Sequence, residues 1–248
     1  MTDAITKIRG DMAAASVMPL KGAIMSNIYG WHFLQEDHKL RGGPTAPKNM
    51  EWLTVANPVI CRRGLHGSRT PAQALEHAPG PILCLCEFSE PKGEHFNDKF
   101  VSESRRIIAR LEASEMLYYY ARMQALSVVH LWDAPDVAID YLMTGDPAAR
   151  AAAGAAARAA VSVSASDAAW AAVWAADSVS ASDAASVSAS AAASAAASVS
   201  ASTAASTAAW IAASAAAWAA SDAASAEFNA LVYECFEGPM KNIGWDGS

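Results

Sequence analysis

The region from residue 148 to residue 226 is mostly Ala, with Ser, a few Val, Thr and Asp, and four Trp, and it repeats every four residues. Stepping by four from Arg150 to Asp222 passes 19 positions, and none of them is Ala although Ala dominates the region. These positions, called the stripe, hold Ser, Trp, Arg, Gly or Asp. The positions two residues after each stripe position, called the small phase, hold only Ala or Ser. A low-complexity spacer without a specific role is the alternative, but random drift would not keep one phase free of Ala.

A period of four is compatible with a helix or with the alternation of a strand, as in a silk-like sheet or a β-solenoid. Ala is the best helix former and is rare in strands. Neither Gly nor Pro occurs between residues 155 and 237. Asp146-Pro147 has the pattern of a helix start, and Gly238-Pro239 has the pattern of a helix end. The sequence therefore predicts a helical repeat region over 146–237, followed by a tail at 238–248.

A helix turns by about 400° in four residues, so the stripe drifts by about 40° per repeat. The stripe must wind around one long helix, or the region must divide into shorter helices. Small side chains and sparse charge predict that these helices pack against one another, within the chain or between chains. Four tryptophans on the stripe fill gaps between helices or anchor a partner, and they are Trp170, Trp174, Trp210 and Trp218. Replacing Ala196 and Ala204 by Leu is predicted to wedge the helices apart.

Residues 1–145 have an ordinary composition and predict an α+β domain. Alternating apolar residues predict three strands, at 27–34, 51–55 and 80–88. Helical patterns predict three helices, at 70–78, 99–130 and 133–145. Thr70 and Gln73 would open the first of these helices with a capping box. The fold class is therefore an α+β domain followed by a long, self-packed helical repeat region.

Two histidines mark the candidate site. His32 lies in a predicted strand, and His66 lies between glycines, two residues before Ser68 and just before a predicted helix. Backbone next to Gly can approach a ligand closely. The alternative is a plain turn at 64–68 and a core histidine at position 32. A zinc site would lack the usual CxxC spacing, so no metal is predicted from Cys61, His66, Cys84 and Cys86.

Charge and composition exclude several function classes. The net charge of −7 argues against strong nucleic-acid binding, which needs clustered Lys and Arg. The N-terminus lacks the basic start and apolar run of a secretory signal, and no apolar run approaches the roughly 20 residues of a membrane span. The four cysteines are too scattered for a disulfide framework. The expected compartment is a reducing cytosol.

Four segments resemble a family of uncharacterised bacteriophage and prophage proteins: WHFLQEDHKLRGG, CRRGLHGSRTPAQALEHAPGPILCLCEF, DKFVSESRRI and HLWDAPDVAIDYLMTGD. Members share a GLHAS…AL.YAPG core, and many continue into Ala-rich tetrads; the segment SDAASAEFNALVYE resembles the family's ending. The resemblance covers nearly the whole chain. It implies a phage-encoded protein in the cytoplasm of the bacterial host, with no activity attached. This chain departs from the family by Ser where relatives often have Arg, and by Gly67 where they commonly have Ala.

A fainter likeness concerns the order of the candidate elements. A strand with His, a Gly-φ-(His/Tyr)-x-Ser segment entering a helix, and a further strand resemble ADP-ribosyltransferases and RNA 2′-phosphotransferases. In those folds the corresponding residues hold the ribose and nicotinamide of NAD or a phosphorylated RNA. The resemblance implies such a role for His32 and for the segment from His66 to Ser68. The usual acidic catalytic residue has no clear counterpart, and Glu87 and Glu90 are the candidates.

Two hypotheses follow. The first is a phage-encoded binding or structural protein without a cofactor. Its repeat drives helix packing, self-association or the docking of a host or phage protein, and its first domain is a recognition module. The alternative is a transferase that uses NAD or a nucleotide. It requires His32 and His66 to face one pocket with a carboxylate nearby. Strong binding of NAD is not expected.

Overall fold

A computed structural model of the chain describes residues 28–40, 43–89, 91–95, 98–163, 167–177, 181–202, 207–245 and 247. The fold combines antiparallel sheets with helices, so the α+β prediction is confirmed. The chain forms two compact units. The first takes residues up to Ala113 and from Phe228 onward, and the second is Ser114–Glu227. The predicted boundaries at 145/146 and 237/238 differ from these, because the helices before residue 146 pack with the Ala-rich ones.

The strands of the first unit form two antiparallel sheets. One has the order β1-β4-β7-β2, and its strands are Ile28–Leu34, Ile82–Ser89, Ser104–Glu112 and Trp52–Thr54. The other has the order β3-β6-β5, and its strands are Leu65–Gly67, Lys99–Ser102 and Lys92–His95. A pair of backbone hydrogen bonds between Trp31 and Ser68, at 2.8 and 2.9 Å, joins β1 to the end of β3. The two sheets therefore meet along this bridge.

Helix α1 (Pro71–Leu75) begins as the sequence predicts. The Thr70 side chain accepts a hydrogen bond from the Gln73 N–H, and the Gln73 side chain accepts one from the Thr70 N–H. This capping box satisfies backbone donors that a short helix otherwise leaves open. The strands predicted at 27–34, 51–55 and 80–88 are also present.

The helix predicted at 99–130 is wrong over its first half, which forms β6 and β7. A β-bulge explains the error. Leu85 of β4 pairs with Ala109, and the next residue, Cys86, pairs with Ile107, so β7 carries Ile108 as an extra residue. The bulge places consecutive apolar residues in the core and breaks the period of two, so the buried positions imitate a helical spacing.

Strand β4 is buried on both faces and forms the centre of the first unit. Ile82, Cys84, Cys86 and Phe88 share one face, which packs against Phe100 at a ring-centroid distance of 4.8 Å from Phe88. Trp31 of β1 lies on the opposite face, where it pairs with Leu85. Its ring contacts the Phe236 ring edge-on, with 5.0 Å between the ring centroids. A Cβ atom at position 67 would lie 2.3 Å from Phe88 Cζ, so this position requires Gly.

The second unit is helical. Its helices are α2 (Ser114–Ser127), a 3₁₀ turn (Val129–Leu131), α3 (Asp136–Thr144), α4 (Arg150–Val163), α5 (Asp167–Asp177), α6 (Ala181–Ser202) and the part of α7 (Thr207–Cys235) up to Glu227. Gly145 ends α3 in the left-handed conformation at φ 69°, as its sequence position indicates. Among the described residues, the longest helix has 29 residues, and no described helix is long and apolar enough to cross a bilayer.

The predicted ends of the repeat region need correction. Helix α4 begins at Arg150, three residues after Pro147, although the Asp146 carboxylate does accept a hydrogen bond from the Ala148 N–H at 2.9 Å. Gly238 and Pro239 do not stop a helix. They lie in the first turn of α8 (Glu237–Ile243), where Pro is tolerated because its missing N–H has no partner within the helix.

The two phases of the repeat differ in exposure in α5 and α6 but not in α4, where the small-phase residue Ala152 is exposed and the stripe residue Gly154 is buried. The described small-phase residues of α5 and α6 are buried, and they are Ala172, Ala176, Ala184, Ser188 and Ala192. The stripe residues Trp170 and Trp174 are exposed. Along α6 the stripe moves outward, from buried Ser182 through half-buried Ser186 to exposed Ser190 and Ser194. This progression is what a drift of about 40° per repeat produces.

Polar groups link the helices of the second unit. The buried Ser188 hydroxyl donates to the Ala171 carbonyl of α5 at 3.2 Å. At the end of α5, the Tyr141 hydroxyl donates to the Ala175 carbonyl at 3.2 Å and Arg150 Nε donates to the Ala176 carbonyl at 2.7 Å. A cation at the C-terminal end of a helix is favourable because the carbonyl dipoles point toward it. The bonds from Tyr141 and Arg150 satisfy carbonyls that the last turn of α5 leaves open.

The substitution Ala172→Leu should destabilise the second unit. Ala172 is 2% exposed among other alanines, so three further carbon atoms would overpack the interface and lower the free energy of unfolding by about 1–3 kcal/mol. The exposed Ala155→Leu is the matched control and should change it by less than about 0.5 kcal/mol. Urea denaturation followed by circular dichroism measures both. Equal stabilities would contradict this packing. Ala196 and Ala204 share the small phase with Ala172, but their side chains lie outside the described residues.

Candidate functional site

The first unit contains a cavity of about 550 Å³. Its lining includes three of the predicted site residues, namely His32, His66 and Ser68. It also includes Arg62, Arg63, Lys99, Arg105 and His77, which the sequence did not single out. A volume of this size lies within the usual range of small-molecule sites. Both histidines thus line one cavity, as the transferase hypothesis requires.

The loop before β3 is folded tightly against the cavity. Val59 and Arg63 exchange two backbone hydrogen bonds, at 2.6 and 2.8 Å, so the chain reverses direction between them. Cys61 at the turn has φ 62°, in the left-handed region that non-Gly residues seldom adopt. Its N–H donates to His66 Nε2 at 3.1 Å. The histidine therefore holds the loop that carries Arg62 and Arg63.

The pKa of His66 is lowered from its ordinary value, first by burial and then by the positive charges of Lys99 and Arg105. Its Nε2 accepts the Cys61 N–H, which requires the neutral imidazole. A hydrogen bond with the Gly64 backbone also engages this side chain. His66 is accordingly a neutral residue that positions the loop, rather than a proton donor open to a ligand.

Arg105 lies beneath the cavity on β7. Its side chain is 3% exposed, and its Nη1 donates to the His66 carbonyl at 3.0 Å. The guanidinium carbon lies 5.9 Å from the centroid of the Phe88 ring. Among the described residues, no carboxylate forms an ion pair with Arg105. A buried guanidinium without a carboxylate partner is unusual.

Strand register fixes the side of the sheet on which each candidate lies. His32 pairs with Cys84, so its side chain shares the face of Cys84 and Cys86. Arg105 pairs with Phe88 and shares that face too. Ser68 is buried, and its backbone groups pair with Trp31. Three separate elements therefore bring His32, Ser68 and Arg105 to the same cavity.

The structure places Glu87, the predicted catalytic acid, away from the cavity. It follows Cys86 on β4, so its side chain lies on the opposite face from His32. It is 3% exposed, and it accepts a hydrogen bond from Arg106 at 2.6 Å. Glu87 is not among the residues that line the cavity. Glu90, the second candidate, lies outside the described residues.

The cysteines do not assemble a metal site. Cys84 and Cys86 are fully buried, and burial raises the pKa of both thiols, that of Cys86 to about 11. They are therefore protonated, whereas a metal ligand must be a thiolate. Within the described part of the chain, one group has converging ligand atoms, Glu76, His77 and Asp98, all within 4.8 Å of one another. In it His77 Nε2 and Asp98 Oδ2 form an ion pair at 2.8 Å.

Two of the four stripe tryptophans have described side chains. Trp170 is 41% exposed and Trp174 is 39% exposed, both on α5. Both rings therefore lie at the surface of the second unit rather than in its core. The side chains of Trp210 and Trp218 lie outside the described residues.

The cationic residues of the cavity were missed because their sequence signals are weak. Arg62 and Arg63 precede Gly64 in a loop, where charge usually marks a solvated surface. Arg105 lies in the segment mistaken for a helix. The signal that would have found it is an Arg pair, 105 and 106, inside an alternating strand, where one of the two must point inward.

Comparison with protein-family models, with curated proteins and with solved structures finds no match to this chain. The resemblances drawn from the sequence motifs therefore stay predictions.

Acid should weaken the first unit through His66. The unfolded chain binds a proton at the ordinary histidine pKa of about 6.5, whereas the folded imidazole binds it less well, so protonation favours unfolding. The contribution of neutral His66 to the free energy of unfolding is complete above about pH 6.5 and is lost as the pH falls below that value. Urea denaturation at about pH 7.5 and 5.5 should therefore show a smaller pH dependence for His66→Asn than for the parent. His130→Asn, in the second unit, is the control that should keep the parent's dependence. A parent-like dependence in His66→Asn would contradict a neutral, half-buried imidazole.

Proposed function

We propose that this is a phage-encoded binding and structural protein that acts in the host cytoplasm. Its Ala-rich repeat builds a helical body and presents an assembly surface, and its first unit serves as a recognition module. The single observation that carries the proposal is that α5 and α6 bury their described small-phase residues while α5 exposes the stripe residues Trp170 and Trp174. A spacer without a role needs no such separation.

The buried phase supports the structural part of this proposal. Ala and Ser keep side chains out of the space between helix backbones, so helices can approach closely. The buried core of the second unit contains alanines from α2, α4, α5 and α6, together with Val173, Tyr141 and Leu142. In α5 and α6 the period of four places small residues on the packed faces, whereas the buried residues of α4, Ala153, Gly154 and Ala157, lie outside that phase.

The exposed stripe supports the assembly part. Trp170 and Trp174 are four residues apart and follow each other on one side of α5. Elsewhere the stripe carries Ser190 and Ser194, which are exposed and small. In a two-fold dimer the same patch meets itself, so the Trp170 and Trp174 surface of one copy would face that of the other. We infer that a second copy of this chain binds the surface formed by Trp170 and Trp174.

The transferase remains a second candidate because His32 and His66 line one cavity. The position of Glu87 weighs against it, since no described lining residue supplies the acidic group that the reaction needs. Calorimetric titration with NAD tests this candidate. We expect no strong binding, and tight binding that His32→Ala abolishes would favour the transferase.

Removing both exposed tryptophans should weaken self-association. Burial of a Trp at an interface contributes strongly to affinity, so Trp170→Ser with Trp174→Ser should raise the dissociation constant of the oligomer at least about tenfold. Sedimentation velocity over a range of protein concentrations measures this constant.

Trp52→Ser is the matched control, because Trp52 is an equally exposed tryptophan, at 43%, on strand β2 of the first unit. It should leave the dissociation constant unchanged. A parent that stays monomeric at every concentration, or a double variant that associates like the parent, would contradict the assembly role. A heterologous partner would then be the occupant to seek.

A further inference from the structure

The cavity of the first unit concentrates positive charge in a chain whose net charge is −7. Four cationic side chains line it, from Arg62, Arg63, Lys99 and Arg105. None of the described lining residues carries a carboxylate. Asp98 offsets part of this charge from next to Lys99, but it is also paired with His77. The cavity is therefore electrostatically matched to an anion.

Arg105 shows that the site is built rather than incidental. A guanidinium carries five N–H donors and stays charged, and burying it without a counterion is costly. In this structure the His66 carbonyl accepts one hydrogen bond from it, and its side chain is almost fully buried. An anion in the cavity would supply the missing charge. The guanidinium fork fits the oxygens of a phosphate group in two-point contact.

The surrounding elements fix the other cations. The loop with Arg62 and Arg63 is held by the backbone pairing of Val59 with Arg63 and by the bond from the Cys61 N–H to His66. Lys99 begins β6, which pairs with β3. Both Lys99 and Arg105 lie close enough to His66 to act on its imidazole electrostatically. The cations thus come from a loop and two strands that converge on His66.

Size and apolar lining indicate what the anion is attached to. The volume of about 550 Å³ exceeds what a bare phosphate ion fills. Leu40, Leu53 and Val55 also line the cavity. An organic body beside a charged group would satisfy both parts of this lining.

We propose that this cavity binds a small organic phosphate, with the phosphate group held by Arg105 and Lys99 and assisted by the Arg62–Arg63 loop. The proposal rests on the recognition role proposed for the first unit. It is independent of the assembly surface on α5.

The test is isothermal titration calorimetry of the full-length protein with four probes: inorganic phosphate, adenosine 5′-monophosphate, adenosine and oxalate. EDTA is present throughout, so that a cation at Glu76, His77 and Asp98 cannot contribute charge. We expect binding of the nucleotide and weaker binding of inorganic phosphate, with no binding of adenosine. Oxalate, a dianion without phosphate geometry, should bind more weakly than inorganic phosphate. Affinity for phosphate should fall as salt concentration rises.

Charge-removing variants locate the site. Lys99→Gln and Arg63→Gln, at positions less buried than Arg105, should each weaken nucleotide binding at least about tenfold, as loss of a charged hydrogen bond does. Lys48→Gln is the matched control, because Lys48 is exposed in the same unit and does not line the cavity. Circular dichroism confirms that each variant is folded. Arg105→Lys keeps the charge but loses the fork, so it should weaken nucleotide binding while remaining folded.

Several outcomes would overturn the proposal. They are no detectable binding of phosphate or nucleotide, affinity unchanged in Lys99→Gln and Arg63→Gln, or oxalate binding equal to phosphate. Strong binding of adenosine alone would instead assign the cavity to the nucleoside. Sedimentation velocity of the Trp170 and Trp174 variant tests the assembly role independently of these titrations. A failure of the phosphate proposal is therefore distinguishable from a failure of the assembly role.

Discussion

The second unit depends mainly on burying side chains that are no larger than a methyl or hydroxymethyl group, alongside a few larger ones such as Tyr141, Leu142 and Val173. Each alanine contributes little, since burial of one CH₂-sized group is worth about 0.8 kcal/mol. Stability must therefore come from the number of contacts and from close packing between backbones. Ala172, Ala176, Ala184 and Ala192 meet this condition because the repeat returns a small residue to the inner face every four positions. A single larger side chain on the small phase would push the neighbouring helices apart at that position.

The same periodicity determines which serine side chains are buried and which are exposed along a helix. A tetrad does not match the helical repeat, so its phase rotates relative to the core as a helix lengthens. In α6 this rotation carries the stripe from buried Ser182 to exposed Ser194. The division into α4, α5 and α6 limits how far it proceeds within any one helix. The short α5, with 11 residues, keeps both of its tryptophans outward.

Much of the architecture could be predicted from local sequence, and the errors have definite physical causes. Thr70 with Gln73 and the left-handed Gly145 are local signals, and both were informative because capping depends on a few neighbouring residues. The bulge at Ile108 is a tertiary feature and disguised a strand as a helix. Glu87 lies three positions after Cys84 on one strand, so the two side chains point to opposite faces, but the pairing of Cys84 with His32 that makes this decisive is a tertiary feature. The Arg105–Arg106 pair indicates one inward-pointing Arg only when residues 104–112 are recognised as a strand, which the bulge obscured.

The separation of packed and exposed positions along α6 is tested most directly by comparing the rates of thiol labelling at two nearby positions of this helix. Ser190→Cys and Ala192→Cys are made in a Cys61→Ser background, because Cys61 is an exposed native thiol while Cys84, Cys86 and Cys235 are buried. Ser190 is exposed on the stripe and Ala192 is buried on the small phase. We predict that Ser190→Cys reacts with a thiol reagent at nearly the rate of an unfolded chain and that Ala192→Cys reacts at least about 100-fold more slowly. Equal rates at the two positions would show that the tetrad does not separate a packed face from an exposed one.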